Sequence, residues 1–558
     1  MEGYKSRFGV GTLGLALGKL YTDPSVIYRE YIQNACDGLE LAIKKGLITT
    51  KEAVITIQID RNEISIKDRG IGVSVTEIGP RLVDPGNSVK YKDNLIGQYG
   101  IGRLIAAQYC EKIVFETSYI GENRKTILTW NTEEAFRLIE SHEFDDGTDV
   151  IDRVTKVVYE EEEPNEHYFR VRLCGIKRRV EKLVDVQAVK EYVSLIAPVD
   201  YSWEFKEDYW GPALEENPEY KALYEKERIY RVVINGEDIR KPYSIDIPNK
   251  DTSLIKPLFM KFEDPDDGLL GWGWYALNEK IIQMNSVAFR GIRFRKLNTA
   301  VGDSNVMANY MKNVSVNYFV GEVFLTHEKI QPTGSRDGFV DSDQKSEFDG
   351  LMADKADSLY TLYDSASHLG SQAVDKLTSA YIKKSELKAK LASEDDPEEK
   401  KSLNEQIKVQ EEIMQTKASE FQDRLGGLET STEGKIVAET LLDARQKALE
   451  KKISENNSKK SKPQIRAITI SKLVEKKTKD KKENEEKEEG KPEEVKDPKI
   501  TLIAKLSKES RKVYSKVCDV IDNEATLTPS YIETLKLKIL NKLVRYNGKK
   551  RSSGRAEL

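Results

Sequence analysis

A chain of 558 residues is too long for one hydrophobic core and divides into about three or four domains. Its formal net charge of -5, with 33% of residues charged, exerts no global pull toward nucleic acid or an anionic membrane. Four scattered cysteines (Cys36, Cys110, Cys174, Cys518) form no CxxC pair, which argues against a disulfide framework or zinc site and fits a reducing compartment. The apolar stretch 8–20 is glycine-rich and holds Lys19, and no later run reaches the ~20 apolar residues of a spanning helix. The expectation is a cytoplasmic protein without a membrane partner.

In chain order, Thr22-Asp23-Pro24 opens a helix, with Asp23 able to cap and Pro24 suited to the first helical position; it runs to about Lys45, before Gly46. Residues 53–60 alternate Ile55, Ile57 and Ile59 with polar neighbours, turn at Arg61-Asn62, and return through Ile64 and Ile66 as a β-hairpin. Asp68-Arg69-Gly70-Ile71-Gly72 ends that hairpin, a loop-rich stretch leads to a glycine-rich segment, 97–102, and an apolar helix follows to about Cys110. Strands follow near 112–119 and 125–130, and Gly147-Thr148 reads as the entry to another. Residues 1–155 therefore form an α+β domain. A second α+β domain, 156–345, has strands near 168–173, 232–236, 269–276 and 286–295 and a helix over 184–197. A long helical region, 346–455, breaks at Asp395-Asp396-Pro397 and Gly426-Gly427. A charged linker, with almost no apolar residues after Val474, covers 456–499, and a small helical segment occupies 500–558.

Four elements carry chemistry. Glu30, Asn34 and Asp37 share one helix face by their spacing. The carboxylate of Glu30 could polarise a water and the neutral amide of Asn34 could hold Mg²⁺, though a solvated polar face has the same pattern. Asp68 at a strand end could accept the exocyclic amine of adenine, while Gly70 and Gly72 let backbone approach the ring, yet DxGxG also makes ordinary turns. Gly97, Gln98, Tyr99, Gly100, Ile101 and Gly102 precede a helix, whose N-terminus offers amides and a favourable dipole to phosphate. Thr148 could share a water with adenine and Asp68.

In this order and at these separations the four elements resemble the motif set of the GHKL (Bergerat-fold) ATPases, the superfamily of gyrase B, heat-shock chaperones, histidine kinases and MutL. No GxxxxGK[ST] occurs to suggest a P-loop instead. The branch most similar is that of the ninety-kilodalton heat-shock chaperones, through Leu20-Tyr21-Thr22-Asp23, Arg29-Glu30, Asn34-Ala35, Asp37-Gly38 and the run from Leu95 to Gly102. Arg69 and Arg103 depart from that branch, which carries a small residue and an aromatic there. The resemblance implies a Bergerat-fold α/β sandwich followed by a transducer-like α+β domain and a helical region. It also implies ATP and Mg²⁺ as ligands, with Glu30 activating water, Asn34 holding the metal, Asp68 reading adenine and the glycine loop wrapping the phosphates. Ser88 and Lys90 fall in a segment that acts as a lid in such proteins. The sequence Gln331-Pro332-Thr333-Gly334-Ser335-Arg336-Asp337 resembles the loop that reaches the γ-phosphate from a second domain, giving Arg336 a charge-sensing role. The resulting expectation is an ATP-hydrolysing conformational machine that closes as a homodimer on a protein client or partner subunit. A Microrchidia-like nucleic-acid clamp and an ATP-regulated component of a bacterial defence system are the alternatives. For the clamp, Arg290, Arg293 and Arg295 offer an alternating basic strand, which could equally be an ordinary exposed face. No residue before Thr22 is the histidine a kinase would phosphorylate, and beyond His368 the C-terminal part holds neither His nor paired Cys for a MutL-like metal site.

Overall fold

The computed structural model describes residues 8–19, 23–84, 102–141, 143–303, 306–311, 314–369, 371–458 and 468–470, with isolated positions beyond. The chain forms two compact units, Met1–Glu475 and Lys476–Leu558, and every element named below lies in the first.

A short helix α1 (Val10–Gly14) precedes α2 (Val26–Lys44). The helix starts two residues later than the sequence reading places it, and Asp23 Oδ1 accepts the Ser25 amide at 3.0 Å in the turn that leads into it. Gly46, at φ 70°, ends the helix in the left-handed conformation, its neighbour Leu47 donating back to Ala42 O at 3.0 Å. Ile27, Tyr28, Tyr31, Ile32, Ala35, Cys36 and Leu39 are buried along one side of α2.

β1 (Val54–Ile59) and β2 (Glu63–Asp68) form the expected hairpin, Ile57 opposite Ile66 and Ile59 opposite Ile64. A 3₁₀ turn, Gly102–Tyr109, leads into β3 (Cys110–Ser118) and β4 (Arg124–Asn131), then α3 (Thr132–Ser141) and α4 (Gly147–Val154). Gly147-Thr148 therefore starts a helix, not a strand. Asp146 Oδ1 accepts the Thr148 amide at 3.0 Å, and that cap commits the next turn to helix. The strand begins only at β5 (Thr155–Glu161), followed by β6 (Tyr168–Ile176), α5 (Val186–Ile196), short helices α6 (Trp203–Phe205), α7 (Gly211–Glu215) and α8 (Pro218–Tyr224), and the hairpin β7 (Arg231–Ile234) and β8 (Glu237–Ile239). All eight strands make one sheet in the order β5-β4-β3-β6-β2-β1-β7-β8, antiparallel except for β1 against β7. This first sheet thus continues past residue 155 and takes β6 into its centre. α2 packs over β1, β2 and β6, which brings its polar face to the end of β2.

A second sheet runs β12-β11-β13-β10-β9, built from β9 (Leu258–Asp264), β10 (Gly268–Ala276), β11 (Gly291–Lys296), β12 (Thr299–Val301) and β13 (Val320–Leu325). Its core is aromatic, with Tyr201, Phe205, Trp210, Trp272 and Trp274 fully buried. The alternating arginines are not an exposed stripe: Arg293 and Arg295 are buried, the latter with Nε 2.5 Å from Glu322 Oε1. The helical region consists of α9 (Asp343–His368), α10 (Ser371–Ser393), α11 (Pro397–Leu428) and α12 (Thr432–Asn457). Phe348, Met352 and Leu359 of α9 join the aromatic core. The α+β class and the strand-free helical region are as expected, but the first long helix is divided after Leu369, and Gly426-Gly427 lies inside α11 rather than ending it.

Candidate active site

Glu30, Gln33, Asn34 and Asp37 occupy successive turns of one side of α2, where residues three and four apart are neighbours. Asp37 and Gln33 are buried, Asn34 is half-buried, and the Glu30 side chain is only 12% exposed. This face is therefore enclosed by protein rather than solvated.

What encloses it begins with the loop after β2. Asp68, buried at the strand end, accepts the Gly70 amide on Oδ1 at 2.7 Å, and Ile71 donates to Gly38 O on α2 at 3.2 Å. A methyl group added at Gly70 would stand 2.5 Å from Asp68 Oδ1 and 2.6 Å from the Gly38 carbonyl carbon; one added at Gly72, where φ is 73°, would stand 2.0 Å from Ser118 O. Both positions admit only glycine, because loop, helix and β3 meet there without room for Cβ. Thr117 Oγ1 accepts the Val73 amide at 2.9 Å and fixes the far side of the loop.

From the glycine-rich segment only Gly102 lies among the described residues; Ser88, Lys90, Gly97, Gln98, Tyr99, Gly100 and Ile101 lie outside them. A methyl group at Gly102 would stand 2.5 Å from Glu30 Oε2, so the Glu30 carboxylate abuts the start of the 3₁₀ turn. Tyr31 Oη donates to Arg103 O at 2.8 Å and ties that turn to α2. The Arg103 guanidinium donates to Asp84 O at 2.5 Å, and its burial pushes its pKa down to about 10.

The loop after β13 reaches the same place. Arg336 is buried, sits at φ 54°, and holds Nε 3.8 Å from Glu30 Oε1. The positive φ is sustained by a tight loop. Arg336 donates its amide to Thr333 O at 3.0 Å, and the hydroxyls of Thr333 and Ser335 donate to Asp337 Oδ1 at 2.8 and 2.7 Å. Those hydroxyls hold the Asp337 carboxyl below its usual range. Arg29 Nη2 donates to Ser335 O at 2.6 Å and fastens the loop to α2, while Arg29 Nε lies 3.9 Å from Glu30 Oε1. Two arginines, one on α2 and one in the loop after β13, thus converge on one carboxylate, whose Oε1 is buried and makes no hydrogen bond among the described residues.

Thr148 is not in this constellation. It lies exposed at the head of α4, which packs on α1, α3 and β5, and its hydroxyl donates to Asp146 Oδ1 at 2.6 Å. The group standing by the Asp68 loop is His167, whose Nδ1 is 2.9 Å from Gly70 O. Sequence reasoning passed over His167, Gln33 and the Arg29–Ser335 contact. Arg29 adjoins Glu30 in the motif and carried a signal, whereas His167 precedes β6 in a run of polar loop residues and carried none.

Among the described residues no three His, Cys, Asp or Glu side chains cluster as a metal-binding group. Mg²⁺ does not require one. It prefers one or two protein oxygens with phosphate and water completing its shell, and the Asn34 amide, next to a buried Gln33 amide that has no hydrogen bond among the described residues, fits that mode.

Residues 21–155 match the family described as histidine kinase-, DNA gyrase B- and HSP90-like ATPase. They form a GHKL-type ATPase domain. The chaperone protein HtpG of Buchnera aphidicola is 28% identical over 243 residues, which is 38% of this chain and 37% of that protein. HtpG of Vesicomyosocius okutanii is 31% identical over 166 residues, 26% of this chain and 27% of its own length. HtpG of Helicobacter pylori is 27% identical over 158 residues, 25% of each. The chain therefore spans well under half the length of these relatives. Among the described residues no helix is long and apolar enough to cross a membrane.

Proposed function

We propose that the chain binds ATP between α2, the Asp68–Gly72 loop and the glycine-rich segment, hydrolyses it, and uses the cycle to drive a chaperone-like conformational change as a cytoplasmic homodimer acting on a protein client or partner subunit. The observation that carries this reading is the placement of Glu30 between Gly102 and Arg336. A carboxylate between a helix-opening glycine segment and a second-domain arginine is positioned to take a proton from a water attacking a terminal phosphate. Asp68 would accept the adenine amine, and Gly70 and Gly72 keep its approach clear of side chains. Arg336 would neutralise charge developing on the transferred phosphoryl group. Mg²⁺, when bound at Asn34, would supply charge neutralisation along the triphosphate.

The burial of Arg293 and Arg295 removes the basic strand that favoured the nucleic-acid clamp. The deciding experiment pairs Glu30→Ala with Asp68→Asn. A general base contributes about 10²–10⁴-fold, so Glu30→Ala should bind ATP in calorimetry and release phosphate at least about a hundredfold more slowly. Asp68→Asn should lose nucleotide affinity outright. Full hydrolysis by Glu30→Ala, or full affinity in Asp68→Asn, would show that the site has been misassigned.

A further inference from the structure

β5 is an edge strand: it ends the eight-stranded sheet, and no described residue pairs with its outer side. From Lys156 to Glu161 every side chain is exposed, including Val157 at 39%, Val158 at 39% and Tyr159 at 50%. An exposed edge carrying three consecutive large apolar residues is a template for pairing with another strand. Natural edges are often blunted by a bulge, a proline or a covering loop. This one has no proline, and its pairing with β4 is regular from Arg124↔Glu161 to Trp130↔Thr155.

The sequence of β5 says what the occupant is. Thr155-Lys156-Val157-Val158-Tyr159-Glu160-Glu161 has its cation at one end and its anions at the other. Laid antiparallel on a second copy of itself about Val158, the strand puts Val158 against Val158, Val157 against Tyr159, and Lys156 against Glu160. Directly opposed residues in an antiparallel pair point to the same face, so each match is a side-chain contact. The register is self-complementary, as a two-fold interface requires. The surrounding side chains favour it. Lys125 Nζ already stands 3.2 Å from Glu160 Oε2 on the inner side, and Lys156 of the partner subunit would flank the same carboxylate from the outer side. On the opposite face the Arg124 guanidinium lies 5.2 Å over the Tyr159 ring and stiffens it against Val157 of the partner subunit.

We propose that β5 pairs with β5 of a second copy of this chain, joining two sheets into one continuous sheet across a two-fold axis. The interface is independent of the nucleotide site, so its test does not depend on hydrolysis. Sedimentation velocity of the full chain over a concentration series should show a monomer–dimer equilibrium. Lys156→Glu turns two Lys–Glu pairs into two Glu–Glu pairs and should weaken association by at least about tenfold. Glu160→Lys should do the same, and the double variant Lys156→Glu/Glu160→Lys should restore it. Both positions are exposed, and circular dichroism would check that each variant stays folded. A wild type that is monomeric at every concentration overturns the proposal. So does a dimer indifferent to Lys156→Glu, which would place the contact on another surface, or a double variant that stays monomeric, which would mean the charges act as a solubilising fringe.

Discussion

Glu30 gathers the distant parts of this molecule. Its carboxylate lies against Gly102, and the nitrogens of Arg29 and Arg336 stand 3.9 and 3.8 Å from it. Arg336 is the partner whose role separates binding from chemistry, since it comes from the loop after β13 and approaches the site at Glu30. Arg336→Ala should therefore leave ADP affinity unchanged and slow phosphate release by about 10²-fold or more, in the range of charge-stabilising groups that act on the transition state. A rate equal to wild type would mean that the arginine serves only to dock its loop. The residues that the structure assembles here could be read from the sequence because their chemical types are unusual in their positions: an acid, an amide and an acid at helical spacing, and an arginine between a serine and an aspartate. Thr148 could not be placed, because Asp146-Gly147-Thr148 is equally a helix cap, and the cap forms. His167 left no trace, since a histidine in a polar loop has no period to break.

At the level of elements, the clamp between α5 and the second sheet shows why local reading fails for buried charge. Arg293 and Arg295 alternate on β11 and look like the solvent side of a strand. The structure instead pairs Arg295 with Glu322 on β13, and Lys241 Nζ lies 2.7 Å from the same carboxyl. Arg295 also donates to Leu195 O at the end of α5 at 3.0 Å. No periodicity announces a partner that lies on another strand. Burial alone would raise the Glu322 pKa, but Arg295 and Lys241 overcome it and hold it down at about 2. A carboxylate with a depressed folded pKa stabilises the fold above its unfolded value near 4.5 and loses that contribution as pH falls toward 2. Glu322→Gln strands two buried cations and should cost about 3–5 kcal/mol at neutral pH, measured as a lower urea midpoint. The wild type should also lose its margin over the variant between about pH 4.5 and 2. An unchanged midpoint at neutral pH would show that Lys241 and Arg295 are neutralised by other groups.

Across the first unit, the sequence conveyed the classes of structure more faithfully than their borders. The hairpin, the helix beneath it and the helices α9–α12 could all be read from the period of their apolar residues. That the first sheet continues to β8, and that α9 packs into the second sheet's core, could not, because each depends on long-range pairing that leaves no local pattern. This packing bears on what the helices do. Phe348, Met352 and Leu359 are buried in the aromatic core that carries the Arg336 loop, whereas Glu30, Asp68 and Gly102 stand over the core of the first sheet. Removing residues 346–558 should therefore act on the two activities unequally. The first core keeps all its apolar residues and should still bind ADP. The second loses a whole wall, each large buried side chain typically contributing about 2–5 kcal/mol, and should no longer hold Arg336 at Glu30. Calorimetry with ADP and phosphate release on the truncated chain would separate these outcomes. Retained binding with turnover reduced to the level of Arg336→Ala is expected. Turnover at the full rate would show that the helices are dispensable to the site and serve a partner instead, while loss of ADP binding would show that the two cores fold as one.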